Sequence, residues 1–310
     1  MEATAISHGA ATIINAIATG KGAGFGIDLK TKATVILNDS GKITGKIKGS
    51  SDEDTKLIEL CAKKVFEYFN VNYGAEIETE SNIPIARGLK SSSTAANAVV
   101  LATTGALTKA GCGKIRERRV VKGITEQQIT INNRLINPEL LINLGVDAAI
   151  DAKVTITGAF DDASASFLGG FVVTDNVNRK ILRSGDFENL SVLIYVPEEK
   201  TYTEGVDVPR MKLLAREVNI AWDEALKGNL YTAMTLNGML YCSTTRNNSE
   251  IALQALNSGA IAAGLSGTGP SVVALARNKE NIDKIRESWE EFEGEVIVAK
   301  VNNERARVIN

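Results

Sequence analysis

The chain has 310 residues, of which 44% are hydrophobic and 23% charged, and its 35 basic and 37 acidic residues leave a formal net charge of −2. This usage excludes a disordered or collagen-like chain, and the balanced charge provides no broad basic surface for nucleic acid. The single histidine excludes a metal site built from several imidazole groups.

Cysteine usage and hydropathy bear on where the protein works. Cys61, Cys112 and Cys242 fall in no CxxC or metal-ligand spacing, and their odd number favours a reducing compartment. The first residues lack the basic and apolar pattern of a signal peptide, and no apolar stretch is long enough to span a bilayer. We therefore expect a cytoplasmic protein that acts on a small molecule, binds neither nucleic acid nor membrane, and exists as a monomer or homodimer.

The first half of the chain predicts β-strands followed by helices. Capping oxygens at residues 51–54 precede apolar residues at helical spacing as far as Phe69. Later, a run of small and apolar residues with a serine-rich start predicts a buried helix. The predicted strands are 3–7, 25–37, 43–47 and 75–80, and the later predicted helices are 91–107 and 138–153.

The second half predicts further strands, a group of helices and a final strand–helix–strand unit. We interpret residues 175–188 as the link between two domains, 1–180 and 181–310. The pattern predicts an α+β fold in which helices cover one face of a small sheet in the second domain. The predicted strands are 167–174, 190–196, 260–265, 271–276 and 295–301, and the predicted helices are 211–226, 230–242, 249–258 and 281–292.

Segment 84–96, with the sequence PIARGLKSSSTAA, has the composition of an anion site. A glycine turn leads into a helix whose first turn consists of small hydroxyl residues. The unpaired amides of such a helix start, and the positive end of its dipole, favour phosphate oxygens. An ordinary capped helix can also begin with serines, and the chain has no GxxxxGK[ST] loop of the Walker type. Both interpretations stay open for this segment alone.

Segment 264–275, with the sequence GLSGTGPSVVAL, places three glycines and three hydroxyl residues around a turn between two apolar runs. Glycines permit a tight turn with exposed amides, which suits an anion. A plain β-turn has the same composition. The segment therefore predicts a turn and leaves its chemistry open.

Segment 158–170, with the sequence GAFDDASASFLGG, carries two adjacent aspartates ahead of a predicted strand. A carboxylate held on a loop is a candidate general base or metal ligand. Adjacent aspartates are also common as solvated turn residues. The segment supplies a candidate acid–base group and does not by itself decide between these roles.

The order and spacing of the three segments resemble the GHMP superfamily of galacto-, homoserine, mevalonate and phosphomevalonate kinases. Segment 84–96 is similar to the PxxxGLGSSAA phosphate loop of that superfamily, and segment 264–275 is close to the GLSGxGPS motif of homoserine kinases. Asp162, seven residues before Gly169, matches the catalytic aspartate of the mevalonate kinase branch. The forms GLKSSS and GAFDDA together most closely resemble the archaeal type of shikimate kinase.

This resemblance implies a fold and an activity. The implied fold is the GHMP kinase fold, with an N-terminal lobe like domain 2 of ribosomal protein S5 and a ferredoxin-like C-terminal lobe. The implied reaction is the ATP-dependent phosphorylation of the 3-hydroxyl of shikimate to shikimate 3-phosphate, a step of aromatic amino acid biosynthesis, with Mg²⁺ as the metal. The alternatives are another GHMP kinase, such as a homoserine kinase, or a non-catalytic nucleotide-binding module.

The resemblance also implies roles for individual residues. Asp162 is the implied base, and Lys21 is the candidate for its lysine partner, because Ala10 stands where the mevalonate branch carries a lysine. Ser92 matches the loop serine that helps to hold the metal. Asp151 stands where many relatives carry a metal-binding glutamate, so its shorter side chain makes contact through water a possible arrangement.

The implied binding residues come from the same segments, together with Arg246, which stands where homoserine kinases place an arginine for the substrate carboxylate. A carboxylate and three hydroxyls on shikimate call for a guanidinium group and several polar groups. The implied substrate residues are Asn15, Asp162, Arg246, Ser266, Gly267 and Thr268. The implied ATP residues are Pro84, Ile85, Ala86, Arg87, Gly88, Leu89, Lys90, Ser91, Ser92, Ser93 and Thr94.

Overall fold

The structure is a computed structural model. It describes residues 1–49, 53–84, 88–119, 125–198 and 207–310. Three residues of the predicted phosphate loop, Ile85, Ala86 and Arg87, lie outside these ranges, as do the predicted capping residues Ser51 and Asp52.

The first lobe is built on a sheet that has seven strands in the described ranges, in the order β14-β1-β2-β4-β3, with β8 and β9 extending from β2. The long strands β1 and β2 pair antiparallel, and their register shifts after His8 and after Thr12. Both shifts lie in the second half of β1, whose buried apolar residues include Ala11, Ile13 and Ile14. The strands are β1 Glu2–Ile14, β2 Lys21–Asn38, β3 Ile43–Ile47, β4 Gly74–Ser81, β8 Phe171–Asp175, β9 Lys180–Gly185 and β14 Arg307–Val308.

The helices of the first lobe are α1 Lys56–Phe69, α2 Ser91–Leu107, α3 Pro138–Asp151 and α4 Phe160–Leu168, and a π-helical turn, Thr108–Cys112, follows α2. Helix α2 contacts the sheet and the neighbouring helices, which is why its sequence is small and apolar all round rather than amphipathic. Helix α3 begins at Pro138, where the Asn137 side chain accepts a hydrogen bond of 2.8 Å from the Leu140 amide.

The second lobe contains an antiparallel sheet, in the order β11-β12-β10-β13, with helices packed against it. Its buried side chains join those at the ends of β1 and β2 in one core, so the lobes share a continuous apolar contact. The elements are β10 Ser191–Pro197, α5 Val208–Lys212, α6 Ala215–Lys227, α7 Leu230–Thr245, α8 Glu250–Asn257, β11 Ala262–Leu265, β12 Val272–Ala276, α9 Lys279–Trp289 and β13 Gly294–Lys300.

Most predicted elements are confirmed, and the α+β class with two lobes is confirmed with them. Helix α2 and strand β3 have the predicted bounds. The helix predicted at 211–226 is divided into α5 and α6. In the described ranges, no helix is both long and apolar enough to cross a bilayer.

Three segments differ from the prediction. The polar stretch between α2 and α3 forms a small sheet of β5 Gly113–Arg119, β6 Thr125–Ile131 and β7 Arg134–Ile136. The predicted loop carrying the paired acids forms α4. The predicted link contains β9, so the boundary at 180/181 runs through the β8–β9 hairpin, and the chain returns to the first sheet through β14.

Helix α7 lies unusually close to strand β11. A Cβ atom built on Gly238 would be 2.3 Å from the Cα atom of Gly264, so neither backbone leaves room for a side chain at the crossing. Gly145 in α3 offers a contrast, because a Cβ there would meet its nearest neighbour, the Ala96 Cβ, at an ordinary 3.4 Å. The α7–β11 crossing matters for the site because β11 leads into segment 264–275.

We predict opposite effects for alanine at these two buried helical glycines. Gly238→Ala forces α7 and β11 apart and should lower the free energy of unfolding by about 1–3 kcal/mol. Alanine fits at residue 145, and Gly145→Ala should raise the free energy of unfolding by up to about 1 kcal/mol, because alanine is the better helix former. Urea unfolding of both variants measures the difference, and equal destabilisation would contradict the close approach.

Candidate active site

The three chemistry-bearing segments meet at one cavity between the lobes. Segment 84–96 contributes the start of α2, segment 158–170 contributes the start of α4, and segment 264–275 contributes a glycine loop. A fourth wall, residues 154–157, follows α3. The described lining residues are Asn15, Ala16, Ile17, Gly88, Lys90, Ser91, Ser92, Ser93, Ala149, Val154, Thr155, Ile156, Thr157, Ala159, Asp161, Asp162, Gly267, Thr268 and Gly269.

Within the predicted phosphate loop, helix α2 begins at Ser91, directly after Lys90. The Lys90 side chain does not cap the helix, and the first amides of an α-helix have no partner within the helix itself. Ser91, Ser92 and Ser93 line the cavity. Thr94 instead uses its hydroxyl to donate to the Lys90 carbonyl at 2.9 Å, which stabilises the first turn.

The other predicted members of this loop divide into two groups. Gly88 lines the cavity. Leu89 is buried in the core shared by the lobes and anchors the loop there. Pro84 is half-buried outside the described lining. The structure therefore brings Gly88, Lys90 and the three serines together, and it gives Leu89 and Thr94 supporting positions.

The glycine loop docks directly on the phosphate loop. The Ser266 hydroxyl donates to the Gly88 carbonyl at 2.8 Å. Gly88 has φ of +77°, and a Cβ atom there would be 2.2 Å from the Ser266 carbonyl oxygen. Only glycine allows both the left-handed backbone and this approach. The predicted residues Gly267 and Thr268 line the cavity beside this contact, whereas Ser266 is buried behind it.

Asn15, predicted to bind substrate, uses its side chain to hold the site together. Its Nδ2 donates to the Gly267 carbonyl at 2.8 Å, and its Oδ1 accepts from the Ile17 amide at 2.9 Å. The Tyr241 hydroxyl donates to the Asn15 carbonyl at 3.0 Å. Asn15 lines the cavity, but its side-chain amide is already hydrogen-bonded to the glycine loop and to the backbone of Ile17.

Asp162 faces the phosphate loop across the cavity. Its Oδ1 lies 2.9 Å from the Lys90 Nζ, and the side chains of the two residues are only 14% and 10% exposed. Asp162 belongs to the first turn of α4, where the helix dipole favours a negative charge. A carboxylate held in this way can accept a proton from an alcohol placed between it and the serines.

Asp161 occupies a different environment from its neighbour. It is buried, and its Oδ1 accepts a hydrogen bond of 2.7 Å from the Asn176 Nδ2. Burial raises the pKa of the Asp161 carboxyl, and the Asp162 carboxylate raises it further. Residue Gly22 leaves it space, because a Cβ there would be 2.3 Å from the Asp161 Oδ2. The two aspartates thus differ in burial and in their partners, because Asp161 bonds to Asn176 and Asp162 pairs with Lys90.

The predicted partnership of Lys21 with Asp162 is not the one found. The Lys21 Nζ lies over the Trp222 ring, 4.4 Å from its centroid, as in a cation–π contact. The Asp162 carboxylate is instead paired with Lys90. The physical reason is that Lys90 lines the cavity within ion-pair distance of Asp162, whereas the Lys21 ammonium lies over the Trp222 ring.

Two other predicted residues lie outside the described lining of the cavity. Asp151 is half-exposed near the end of α3, and its Oδ2 lies 2.6 Å from the Lys64 Nζ. Lys64 of the neighbouring helix α1 therefore balances the charge of Asp151. Arg246 is exposed at the left-handed end of α7. The structure brings Ser92 and Asp162 to the cavity, but not Asp151 or Arg246.

Sequence reasoning missed the charge role of Lys90, the buried Asp161 and the wall at 154–157. One signal was available for Lys90, because it stands where the PxxxGLGSSAA pattern has glycine, so a bulky charged residue there needed an explanation. The wall has no sequence pattern of its own, and its position follows from the packing of α3 against α4.

The described residues contain no cluster of three His, Cys, Asp or Glu side chains able to hold a metal. A metal that arrives with phosphate groups needs fewer protein ligands, since Mg²⁺ in such sites commonly binds one or two protein groups, phosphates and water. The Ser92 hydroxyl and the Asp162 carboxylate both line the cavity and are of the right chemical type.

Comparison with known proteins agrees with this geometry. Residues 56–122 match the family described as GHMP kinases N terminal domain, and residues 213–294 match GHMP kinases C terminal. A protein of Methanothermobacter thermautotrophicus named shikimate kinase is 45% identical over 99% of this chain and 98% of its own length. The chain belongs to the GHMP kinase family. A Methanosarcina mazei protein of the same name is 44% identical over 100% of this chain and 98% of its own.

Solved GHMP kinase structures confirm the predicted fold at low sequence identity. The homoserine kinase of Cytophaga hutchinsonii is 17% identical, with a TM-score of 0.70 over 99% of this chain and 97% of that one. The mevalonate kinase of Methanococcus jannaschii is also 17% identical, with a TM-score of 0.69 over 100% of this chain and 98% of that one. These likenesses establish the GHMP kinase fold and not the substrate.

The raised pKa of Asp161 gives a prediction about stability and pH. Such a carboxyl binds its proton more tightly in the folded chain, so its contribution to stability falls as pH rises from the unfolded value of about 3.9 through the raised folded value. Asp161→Asn removes this loss. The increase in melting temperature of Asp161→Asn over the wild type should be larger at pH 8 than at pH 5.

Asp175→Asn is the control for this measurement. Hydrogen bonds from Asn178 lower the pKa of the half-buried Asp175 carboxyl, so this group is ionised at both pH values. Its replacement should change the melting temperature by the same amount at pH 5 and pH 8. A pH-independent effect of Asp161→Asn would mean that the buried carboxyl is not the group that titrates.

Proposed function

We propose that this chain transfers the γ-phosphoryl group of ATP to the 3-hydroxyl of shikimate. The observation that carries the proposal is the near full-length similarity to proteins named shikimate kinase, at 45% and 44% identity. The cavity supports it, because a helix start lined by serines and a carboxylate held by a lysine face each other there. Phosphoryl transfer depends mainly on such positioning and charge neutralisation.

The proposed roles follow from the positions of the side chains. The triphosphate lies over Gly88 and the three serines at the start of α2, where helix amides and small side chains admit phosphate oxygens. Asp162 orients the 3-hydroxyl and accepts its proton. The Ser92 hydroxyl would help to hold Mg²⁺, which neutralises phosphate charge when bound. Asp151 would reach the metal only through water and after leaving Lys64.

The substrate side of the cavity is the part nearest the glycine loop and the wall at 154–157. Thr155, Thr157 and Thr268 offer hydroxyls, and Gly267 offers backbone groups, for the polar edge of shikimate. The Asn15 side chain donates to the Gly267 carbonyl and so holds the glycine loop in place. The three cysteines are free, which supports a reducing compartment such as the cytoplasm as the place of action.

Homoserine kinase is the second candidate. It is favoured by the GLSGTGPS sequence of the glycine loop and by the structural similarity to the Cytophaga hutchinsonii homoserine kinase. The paired aspartates and GLKSSS favour shikimate, since that combination is what resembles the archaeal shikimate kinases. A non-catalytic nucleotide-binding module would need none of the charge pairing at Asp162.

A substrate panel tests the proposal. ADP formation is followed with Mg²⁺, ATP and one of shikimate, homoserine or mevalonate, and the product is located by phosphorus NMR. We expect turnover with shikimate alone and a phosphate on its 3-hydroxyl. Turnover with homoserine alone would transfer the assignment to the second candidate, and nucleotide binding without any turnover would favour the non-catalytic module.

Asp162→Asn is the matched control for the panel, with Asp161→Asn beside it. Loss of the proton acceptor at Asp162 should lower kcat by about two to four powers of ten. Asparagine at Asp161 resembles the protonated carboxyl and should be tolerated far better. Equal activity of Asp162→Asn and the wild type would remove Asp162 from the proposed mechanism.

Arg246 is the proposed partner of the shikimate carboxylate. The resemblance to homoserine kinases supports this role, although Arg246 is exposed and lies outside the described lining of the cavity. It precedes Asn247, whose Nδ2 lies 3.4 Å from the Thr268 carbonyl oxygen. Arg246→Gln should raise KM for shikimate by about ten-fold or more, as expected for loss of a charge-assisted contact, and leave KM for ATP unchanged. A larger effect on ATP would assign Arg246 to the nucleotide instead.

A further inference from the structure

One ammonium group joins all three motifs. The Lys90 Nζ lies 2.9 Å from the Asp162 Oδ1, in a pair that is almost withdrawn from water. A Cβ atom built on Gly267 would be only 3.1 Å from the same Nζ, so the glycine loop packs against the ammonium as well. A side chain at residue 267 would crowd the Lys90–Asp162 ion pair. The three segments together therefore determine the position of the Lys90 ammonium.

The backbone of Lys90 is unusual for its residue type. It has φ of +64° and ψ of +30°, in the left-handed region that glycine occupies most easily. The family pattern PxxxGLGSSAA has glycine at this position. A lysine in this conformation is locally strained, and surrounding contacts must stabilise it. Such strained residues cluster at functional sites.

The charges around Asp162 explain what a lysine does at this position. Asp162 adjoins Asp161, which is buried and has no cation of its own among its hydrogen-bond partners in the described part of the chain. Two neighbouring carboxylates in one cleft disfavour each other's ionised form. Among the described lining residues, Lys90 is the one basic side chain, so it is the group that offsets this repulsion.

We propose that Lys90 is a positioning residue, which reaches from the phosphate loop itself to hold the Asp162 carboxylate in place for the attacking alcohol. The proposal rests on the proposed function of Asp162 as proton acceptor. It assigns to Lys90 the partnership that was predicted for Lys21. One short segment then has two functions. The phosphate loop binds the nucleotide, and its Lys90 orients the Asp162 carboxylate that accepts the proton of the attacking alcohol.

The test uses Lys90→Gly, because glycine accepts the left-handed backbone and removes only the side chain. The substrate is whichever alcohol of the panel the wild type phosphorylates. We expect kcat to fall by about a hundred-fold or more, as for loss of an aligned acid–base group, with KM for ATP and for the alcohol close to the wild-type values. Adding n-butylammonium, which matches the lost side chain, should restore part of kcat.

Two controls accompany this variant. Lys153→Gly makes the same change at an exposed lysine with φ of +62°, and it should keep wild-type kinetics with and without the amine. Tetramethylammonium carries the same charge but no N–H group, and it should fail to rescue Lys90→Gly. Rescue by both cations would point to charge alone and would overturn the direct positioning contact.

Other outcomes also contradict the proposal. A raised KM for ATP with an unchanged kcat would mean that Lys90 serves the nucleotide phosphates and not Asp162. A loss of kcat that n-butylammonium does not restore would mean a structural role. If Lys90→Gly does not fold, Lys90→Arg should retain more turnover than the uncharged Lys90→Met, and an equal loss in both would reject the ion pair as the cause.

A wild-type protein inactive on shikimate but active on another alcohol would reject the proposed substrate and leave the Lys90 test intact with that alcohol. A wild-type protein inactive on all three alcohols would remove the acceptor role of Asp162, and the positioning role of Lys90 would fall with it. The failure of the substrate assignment can therefore be told apart from the failure of the lysine assignment.

Discussion

The site depends on the contact between Gly88 and Ser266, where the two lobes approach each other backbone to backbone. A hydrogen bond of 2.8 Å closes this contact, and a Cβ atom on Gly88 would lie 2.2 Å from the Ser266 carbonyl oxygen. Because this junction leaves no room for a side chain at residue 88, it holds the phosphate loop and the glycine loop close together. The cavity, its serines and its carboxylates are positioned relative to that junction.

The charges in the cavity are matched to a polyanionic guest. Burial raises the pKa of the Asp161 carboxyl, and the Lys90 ammonium offsets the Asp162 carboxylate. Both effects reduce the negative charge that a phosphate group would meet, and the dipole of helix α2 adds an attraction for phosphate oxygens.

Family membership and structural likeness carry different information. The GHMP kinase fold is shared with kinases of other alcohols at 17% identity, so the arrangement of lobes and loops does not select the acceptor. In this chain Ala10 lies on β1 and carries no charge, whereas Lys90, at the start of α2, pairs with Asp162.

The sequence by itself determined the elements whose signals are local. The small-residue run fixed helix α2, the apolar spacing fixed α1, and the three motifs identified the family, since each depends on neighbours along the chain. Tertiary structure decided the rest. Adjacent helical residues point about 100° apart, so only the packing of α4 decided that Asp161 is buried while Asp162 faces Lys90. Lys21 and Asp151 found partners in Trp222 and Lys64, because ion pairs and cation–π contacts form between side chains that folding brings together.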